Sequence, residues 1–387
     1  MADSLHPLRD LFVRNGYGPE ALRLLLNVRG LDDVGLLNHA AALARIRDDR
    51  STAAVLTRLL FLEASEPLSS VRRALPKPDA ETLLASGLLR KRAKTGQAAL
   101  SARVRVDPIG EHFILSDLRF NAVDRRVLRL PRGDAVYPPS SDSTLLSEVV
   151  RQRPGSRLLD LCTGSGVQAL LQAHGAPSVV AVDVNPRAVA MARHNAELND
   201  ARNIEVRLGD LYAPVRSEQF DLIIANPPFV SSPYEQAPSY HAGGPTGDRV
   251  LRRVIRGWRH YLMKGGRAFA VSHVAIRRGT TIDAVARGWF RGFPGRALVL
   301  VLETGTDVDL AAAQSLFALR QGLSAYAREQ KRWRDYLRRH RIESISLVLI
   351  AAERAGRAKV EVVDARPRVL PLPLTPGPAQ RIEEWLA

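Results

Sequence analysis

The 387-residue chain has one cysteine, Cys162. That excludes an internal disulfide and a cysteine-based metal cluster, and it suits a reducing compartment. No run of about 18 apolar residues occurs, so no membrane-spanning helix is expected. The opening Met1-Ala2-Asp3-Ser4-Leu5 has an early acid and no basic head before an apolar stretch, so a secretory leader is not expected and the cytoplasm is the expected location. No paired His/Glu motif calls for a catalytic metal, and neither internal repeats nor low-complexity segments occur. Lysine is scarce: six of the 56 basic residues. The net charge of +16 is therefore arginine spread through the chain, and a nucleic-acid partner does not follow from charge alone.

What is present divides into two parts, expected at residues 1–130 and 131–387, and the length is ample for two cores. Glu20 to Asn27, His39 to Arg47 and Thr52 to Ala64 have helical patterning and are separated by turn signals. Leu68 to Leu75 and Pro78 to Leu89 follow as shorter helices, then a basic turn at Arg90 to Gly96. Arg103 to Asp107 and His112 to Ser116 alternate as strands of a hairpin around Pro108-Ile109-Gly110. Helices followed by a ribbon predict a mainly helical, winged-helix-like domain that either lids the active site and selects substrate or binds nucleic acid. The first is preferred, because no aromatic-basic reading surface stands out.

The second part is α/β. Leu158-Leu159-Asp160-Leu161 is an apolar strand running into Cys162-Thr163-Gly164-Ser165-Gly166, a turn whose glycines let backbone approach a nucleotide-like ligand. Val179 to Asp183 and Arg207 to Leu211 place further acids, Asp183 and Asp210, at the ends of a second and a third strand. All three acids fall on the carboxyl edge, where open α/β sheets bind ligands. Asp183 suits the two hydroxyls of a ribose. Phe220 to Ala225 then leads into Asn226-Pro227-Pro228-Phe229. A nicotinamide-binding domain would use a third glycine where Ala169 stands, and it has no evident use for the Asn-Pro-Pro-Phe turn. The helix Asp248 to Leu262 and strands at Arg267 to Ser272, Leu298 to Glu303 and Ile345 to Ala352 complete a seven-stranded Rossmann-like sheet. Pro367 to Pro378 reads as an extended tail before a last helix, Ala379 to Trp385.

These motifs, in this order, resemble class I S-adenosylmethionine-dependent methyltransferases with an Asn-Pro-Pro-Phe/Tyr turn, the HemK-like group that includes release-factor glutamine methyltransferases. Val136 to Leu146 resembles the segment before the cofactor loop in that group, and Ala242 to Gly247 a glycine-rich loop after its catalytic turn. The resemblance covers roughly Val136 to Glu353 and departs at Cys162, where many members carry glycine. It implies S-adenosylmethionine as cofactor, bound by Tyr137, Asp160, Thr163, Gly164, Gly166, Asp183, Val184, Asp210, Leu211 and Asn226, with Tyr137 and Asp142 closing over the methionine end.

Methyl transfer to a neutral nitrogen needs in-line positioning more than a strong base. Asn226 and the Pro227 carbonyl can accept the two hydrogens of a planar amide or amine, while Phe229 stacks on its face. The expected acceptor is a protein or small molecule, and the second reading is the exocyclic amine of a ribosomal RNA base. A non-enzymatic cofactor-binding module is disfavoured by Asn226. His273 is expected to be packed or solvated and not a base, and the stretch Glu303 to Asp307 is explained equally well by pocket lining or by loop polarity. In the Arg328 to Arg341 segment, Leu319, Leu323, Tyr326, Trp333 and Leu337 recur at helical spacing, which predicts one packed face. The arginine-rich face is expected to be solvated and remote from Asn226, with a phosphate or acidic-partner surface as the sharper alternative.

Because Asp183 is expected to hold the ribose through charge-assisted hydrogen bonds, Asp183→Ala should weaken S-adenosylmethionine binding by roughly 1.5–3 kcal/mol. Calorimetry showing unchanged affinity would remove Asp183 from the site.

Overall fold

The computed structural model describes residues 5–35, 37–94, 97–119, 133–234, 243–356, 358–366 and 377–387. Residues 95–96 of the expected basic turn, Ala242 and residues 367–376 of the expected extended tail lie outside the described residues. The chain forms two compact units: Met1–Ser141 with Gly164–Leu171 and Arg187–Ile204, and Asp142–Thr163 with Gln172–Pro186 and Glu205–Ala387.

In the first unit the expected helices are present at Pro19–Leu26, His39–Arg45, Thr52–Leu56 continuing as a π-turn over Thr57–Phe61, Leu68–Ala74 and Lys77–Ala85. An additional helix occupies His6–Arg14. The expected hairpin forms between Arg105–Ile109 and His112–Ser116, turning at Gly110 with φ +54°. Residues 90–94 of the expected basic turn are instead strand: Leu89–Lys94 pairs with Gln97–Ala102, and Glu66–Pro67 adds a third short strand. Its Arg-Lys-Arg-Ala-Lys sequence lacks the β-branched and aromatic residues that mark strands, so the hairpin carries no sequence signal. One apolar cluster, including Phe12, Tyr17, Leu59 and Phe113, also takes in Ala188, Met191 and Leu198 of the helix Pro186–Leu198.

The second unit is built on one sheet whose strands are numbered here in chain order: β1 Arg157–Leu161, β2 Ser178–Asp183, β3 Ile204–Leu208, β4 Phe220–Ala225, β5 Leu262–Arg277, β6 Arg296–Thr306, β7 Ile342–Glu353 and β8 Lys359–Asp364. Their spatial order is β8-β6-β7-β5-β4-β1-β2-β3. Where seven strands were expected the sheet has eight: β3 lies ahead of the expected Arg207 to Leu211, which leaves Asp210 in the loop after it, and β8 is added parallel to β6. β7 runs antiparallel between β5 and β6, whereas β5, β4, β1 and β2 pair in parallel. Parallel strands are covered on both faces, so they read as continuous apolar runs. In β4 the stretch Leu222 to Ala225 is buried throughout. Register brings the strand tips level: Leu161 lies opposite Ala225, and Ala225 opposite Ala270.

Local packing fixes the loop after β3. Tyr212 stacks on Tyr261 at 4.2 Å and donates its hydroxyl to the Val254 carbonyl at 2.6 Å. Its ring fills the space beside Gly257, inside the helix Arg249–Tyr261; a Cβ there would sit 2.0 Å from the Tyr212 ring. Glycine costs a helix interior about 0.5–1 kcal/mol relative to alanine, so this residue is kept for the ring. Gly257→Ala should therefore destabilise by about 1–3 kcal/mol despite its better helix propensity. Urea unfolding checks this, and a gain in stability would show that the ring moves aside freely.

Candidate functional site

Asp160, Asp183 and Asp210 converge on the end of β1. Asp160 is buried within the strand and accepts from Thr163 Oγ1 at 2.5 Å. Asp183 closes β2, where its Oδ1 accepts the Asn185 amide at 2.9 Å. The Gly209 amide bonds the Asp183 carbonyl at 2.9 Å, tying the loop that carries Asp210 to the neighbouring strand tip. Asp210 pairs with Arg253 at 2.7 Å, both about half exposed. Burial first, and then the fields of Asp183, Asp160 and Asp210, push the Cys162 thiol well above its ordinary value.

The backbone of these turns is unusual in the same places. Cys162 has φ +59° and Leu211 φ +51°, a left-handed region that non-glycine residues enter at a cost. Cys162 therefore holds the conformation that glycine would adopt freely, which gives its departure from the resembled pattern a conformational meaning. Gly164 (φ +56°) has open space where a Cβ would point, and Gly166 (φ +82°) would bring a Cβ to 3.1 Å from that of Ala192. The first glycine answers to backbone conformation, the second also to close packing. Val184 and Tyr137 each expose much of their side chains.

Asn226 follows β4 directly. Its Nδ2 donates to Asp142 Oδ2 at 2.7 Å. The Asn226 Oδ1 is buried and has no hydrogen-bond partner among the described residues. A carboxylate can only accept, so Asp142 takes the NH₂ end of the amide and turns the oxygen the other way. A buried polar atom without a partner costs free energy, about 1–3 kcal/mol, and marks where a ligand donor would be satisfied.

Phe229 is partly buried and stacks on His273 at 4.8 Å with 23° between the rings. His273 is thus a packed residue of this site. Burial lowers its pKa, with Asp142 and then Glu303 acting against that shift. Glu303 itself is exposed, next to an irregularity in the β6–β7 pairing after Val301. The glycine-rich loop lies against the turn: a Cβ on Gly247 (φ +76°) would come within 2.5 Å of the Phe229 carbonyl oxygen and 2.9 Å of that of His273. That loop is anchored by Asp248, a buried carboxylate accepting from Thr246 Oγ1 at 2.7 Å, Arg252 Nε at 2.6 Å and Trp289 Nε1 at 2.9 Å. Neither the Asp142–Asn226 bond nor the Asp248–Trp289 bond carries a signal in the sequence, because each joins segments far apart in the chain.

A family profile described as methyltransferase small domain matches residues 140–287, which contain the strand tips, the acids and the Asn226 turn. The chain belongs to this methyltransferase family. A second profile, described as a domain of unknown function (DUF7059), matches residues 14–100. A Methanocaldococcus jannaschii protein named as a putative protein N5-glutamine methyltransferase is 36% identical over 145 residues, 36% of this chain and 73% of the relative. The release factor glutamine methyltransferase of Thermodesulfovibrio yellowstonii is 28% identical over 225 residues, 51% of this chain and 78% of the relative. A ribosomal protein uL3 glutamine methyltransferase of Bradyrhizobium diazoefficiens is 38% identical over 122 residues, 28% of this chain and 38% of the relative. The enzyme is thus an S-adenosylmethionine-dependent N-methyltransferase. Among the described residues, no group of three His, Cys, Asp or Glu side chains could hold a metal, and no helix is long and apolar enough to cross a membrane.

Asp142→Asn keeps the size of the side chain but lets either end of the Asn226 amide bond to it. Turnover of the methyltransferase should fall about 10- to 100-fold, with a much smaller change in cofactor affinity. Steady-state kinetics beside calorimetry would separate the two, and an unchanged kcat would dismiss the orienting role.

Proposed function

We propose that this methyltransferase modifies the side-chain amide nitrogen of a glutamine in a protein. The observation that carries the reading is the buried, unpartnered Oδ1 of Asn226, held in one orientation by Asp142 at the mouth of the Asn-Pro-Pro-Phe turn. A primary amide offers two N–H donors; Asn226 Oδ1 takes one and the Pro227 carbonyl the other. Proline has no N–H, so the turn presents an acceptor where a donor would repel the substrate nitrogen. The aromatic face of Phe229, backed by His273, stacks on the planar amide, an interaction worth about 0.5–1.5 kcal/mol. The relatives named as glutamine methyltransferases, two of them acting on release factors or ribosomal protein uL3, favour glutamine within that class.

The acidic strand tips fit S-adenosylmethionine. Asp183 would hold the ribose hydroxyls; Asp160 with Thr163 and the turn through Gly164 and Gly166 would receive the methionine end with Tyr137; Asp210, Val184 and Leu211 would border the adenine. When bound, the cofactor would supply a methyl group activated by a cationic sulfonium. Accepting both amide hydrogens draws the nitrogen lone pair out of conjugation and toward the methyl, and the nitrogen then loses one proton to solvent. None of this requires a strong base at the site, and burial lowers the His273 pKa, which favours the neutral ring. The N-terminal segment, about residues 1–130, would act as a winged-helix-like substrate-selecting domain. Its order of short strand, two helices and hairpin supports that assignment.

Incubating the protein with a lysate and methyl-labelled S-adenosylmethionine should place label in a protein fraction, from which alkaline hydrolysis releases labelled methylamine. Asn226→Ala should lower transfer at least about a hundredfold while leaving cofactor affinity nearly intact. Label recovered in RNA or small molecules would overturn the glutamine reading.

A further inference from the structure

The helix Leu323–Arg339 is packed differently from the expected pattern. Its buried stripe is Ala325, Glu329, Trp333 and Leu337, while Leu323 is 78% exposed. Glu329, an acid on the packed face, is retained by specific partners: Trp333 Nε1 donates to it at 3.0 Å, and the Tyr234 hydroxyl also donates to it. Arg332 completes the cluster, donating to the Tyr234 hydroxyl at 2.8 Å and lying 5.1 Å over its ring. Tyr234 belongs to the loop that leaves the Asn226–Phe229 turn. The arginine helix is therefore fastened to the segment that emerges from the catalytic turn, where the sequence suggested a remote surface.

The outward face is strongly positive. From Arg328 to Arg341 there are seven cations and two carboxylates. Lys331 pairs with Asp335 at 2.6 Å, and Arg332 approaches Glu329 at 3.5 Å. Arg328, Arg334, Arg338, Arg339 and Arg341 are exposed and have no ion-pair partner among the described residues. The turn bearing exposed Arg277 and Arg278 joins them, since the Arg278 amide bonds the Arg341 carbonyl at 2.9 Å. Arg334 and Arg338 are one turn apart on the same side, about 6 Å along the axis. Beside them Tyr336 and His340, both partly exposed, pair at 4.5 Å. Exposed cations left without counter-charge repel one another unless a polyanion supplies it. Arginines interleaved with aromatic rings match RNA, whose phosphates take guanidinium forks and whose bases stack, better than an acidic peptide, which offers carboxylates alone.

We propose that the Arg328–Arg341 helix face, with Arg277 and Arg278, is a docking surface for the phosphate backbone of RNA, which brings an acceptor carried on a ribonucleoprotein to the catalytic turn. RNA is here a docking partner, and its binding does not depend on which atom is methylated.

Fluorescence anisotropy of the full chain with a labelled RNA hairpin, across a range of potassium chloride concentrations, tests this without any methyl transfer. The quadruple variant Arg334→Gln, Arg338→Gln, Arg339→Gln, Arg341→Gln should bind at least tenfold more weakly, and the slope of log affinity against log salt should fall by about 0.7–0.9 for each phosphate no longer neutralised. A variant of equal charge change elsewhere, Arg29→Gln, Arg47→Gln, Arg50→Gln, Arg73→Gln, should bind like the wild type, as should Asn226→Ala. Circular dichroism should show all variants folded. Equal weakening in the two quadruple variants, no weakening in the first, or binding of polyglutamate as tight as that of the hairpin would overturn the proposal.

Discussion

A carboxylate accepts hydrogen bonds and cannot donate them, and that asymmetry at Asp142 decides what the site can do. Because Asp142 claims the NH₂ end of Asn226, the amide oxygen is left buried and unpaired at the end of β4. Were the partner a hydroxyl or an amide, either end of Asn226 could face the acceptor. A partly exposed acid therefore sets the orientation of the Asn226 amide by bonding geometry alone. The same arrangement keeps a desolvated acceptor in reserve, its cost carried by the surrounding fold until a donor arrives.

The fold sustains this arrangement through a second buried acid. Asp248 gathers donors from the glycine-rich loop, from the helix it precedes and from Trp289. That loop passes so close to Phe229 and His273 that Gly247 admits no side chain. The stack of Phe229 on His273 is thus backed by the backbone of this loop, and the loop is held by a carboxylate that accepts three hydrogen bonds. On the far side of the turn, Glu329 and Tyr234 make a comparable anchor.

Much of this was legible in the sequence, for reasons that differ by element. The apolar runs of β1, β2 and β4 declare themselves because parallel strands are buried on both faces, and the turns after them are marked by glycine, proline and acids whose conformational roles are local. β5, β6 and β7 were visible only in their apolar centres: the structure extends β5 to Leu262–Arg277, and pairing with β7 carries it beyond Ser272 as far as Arg277. The hairpin of Leu89–Lys94 and Gln97–Ala102 was missed because pairing, not side-chain preference, makes it strand. The apolar stripe projected through Leu319 and Leu323 failed for the opposite reason, since a short 3-10 turn at Leu316–Gln321 breaks the helical phase before Leu323. Asp142 was visible as a candidate, but its partner was not, and Cys162 was visible as a departure whose meaning required its positive φ.

The eighth strand has a significance separate from chemistry. β6 carries the apolar stretch Ala297 to Val301, and without β8 its outer row of amides and carbonyls would face solvent. Such an edge invites pairing with the same segment of another molecule. β8 covers it with a strand only partly buried, which carries the charged residues Lys359, Glu361 and Asp364. The charged border makes the sheet a poor template for self-association, so the short segment after β7 guards the colloidal behaviour of the protein in a crowded cell.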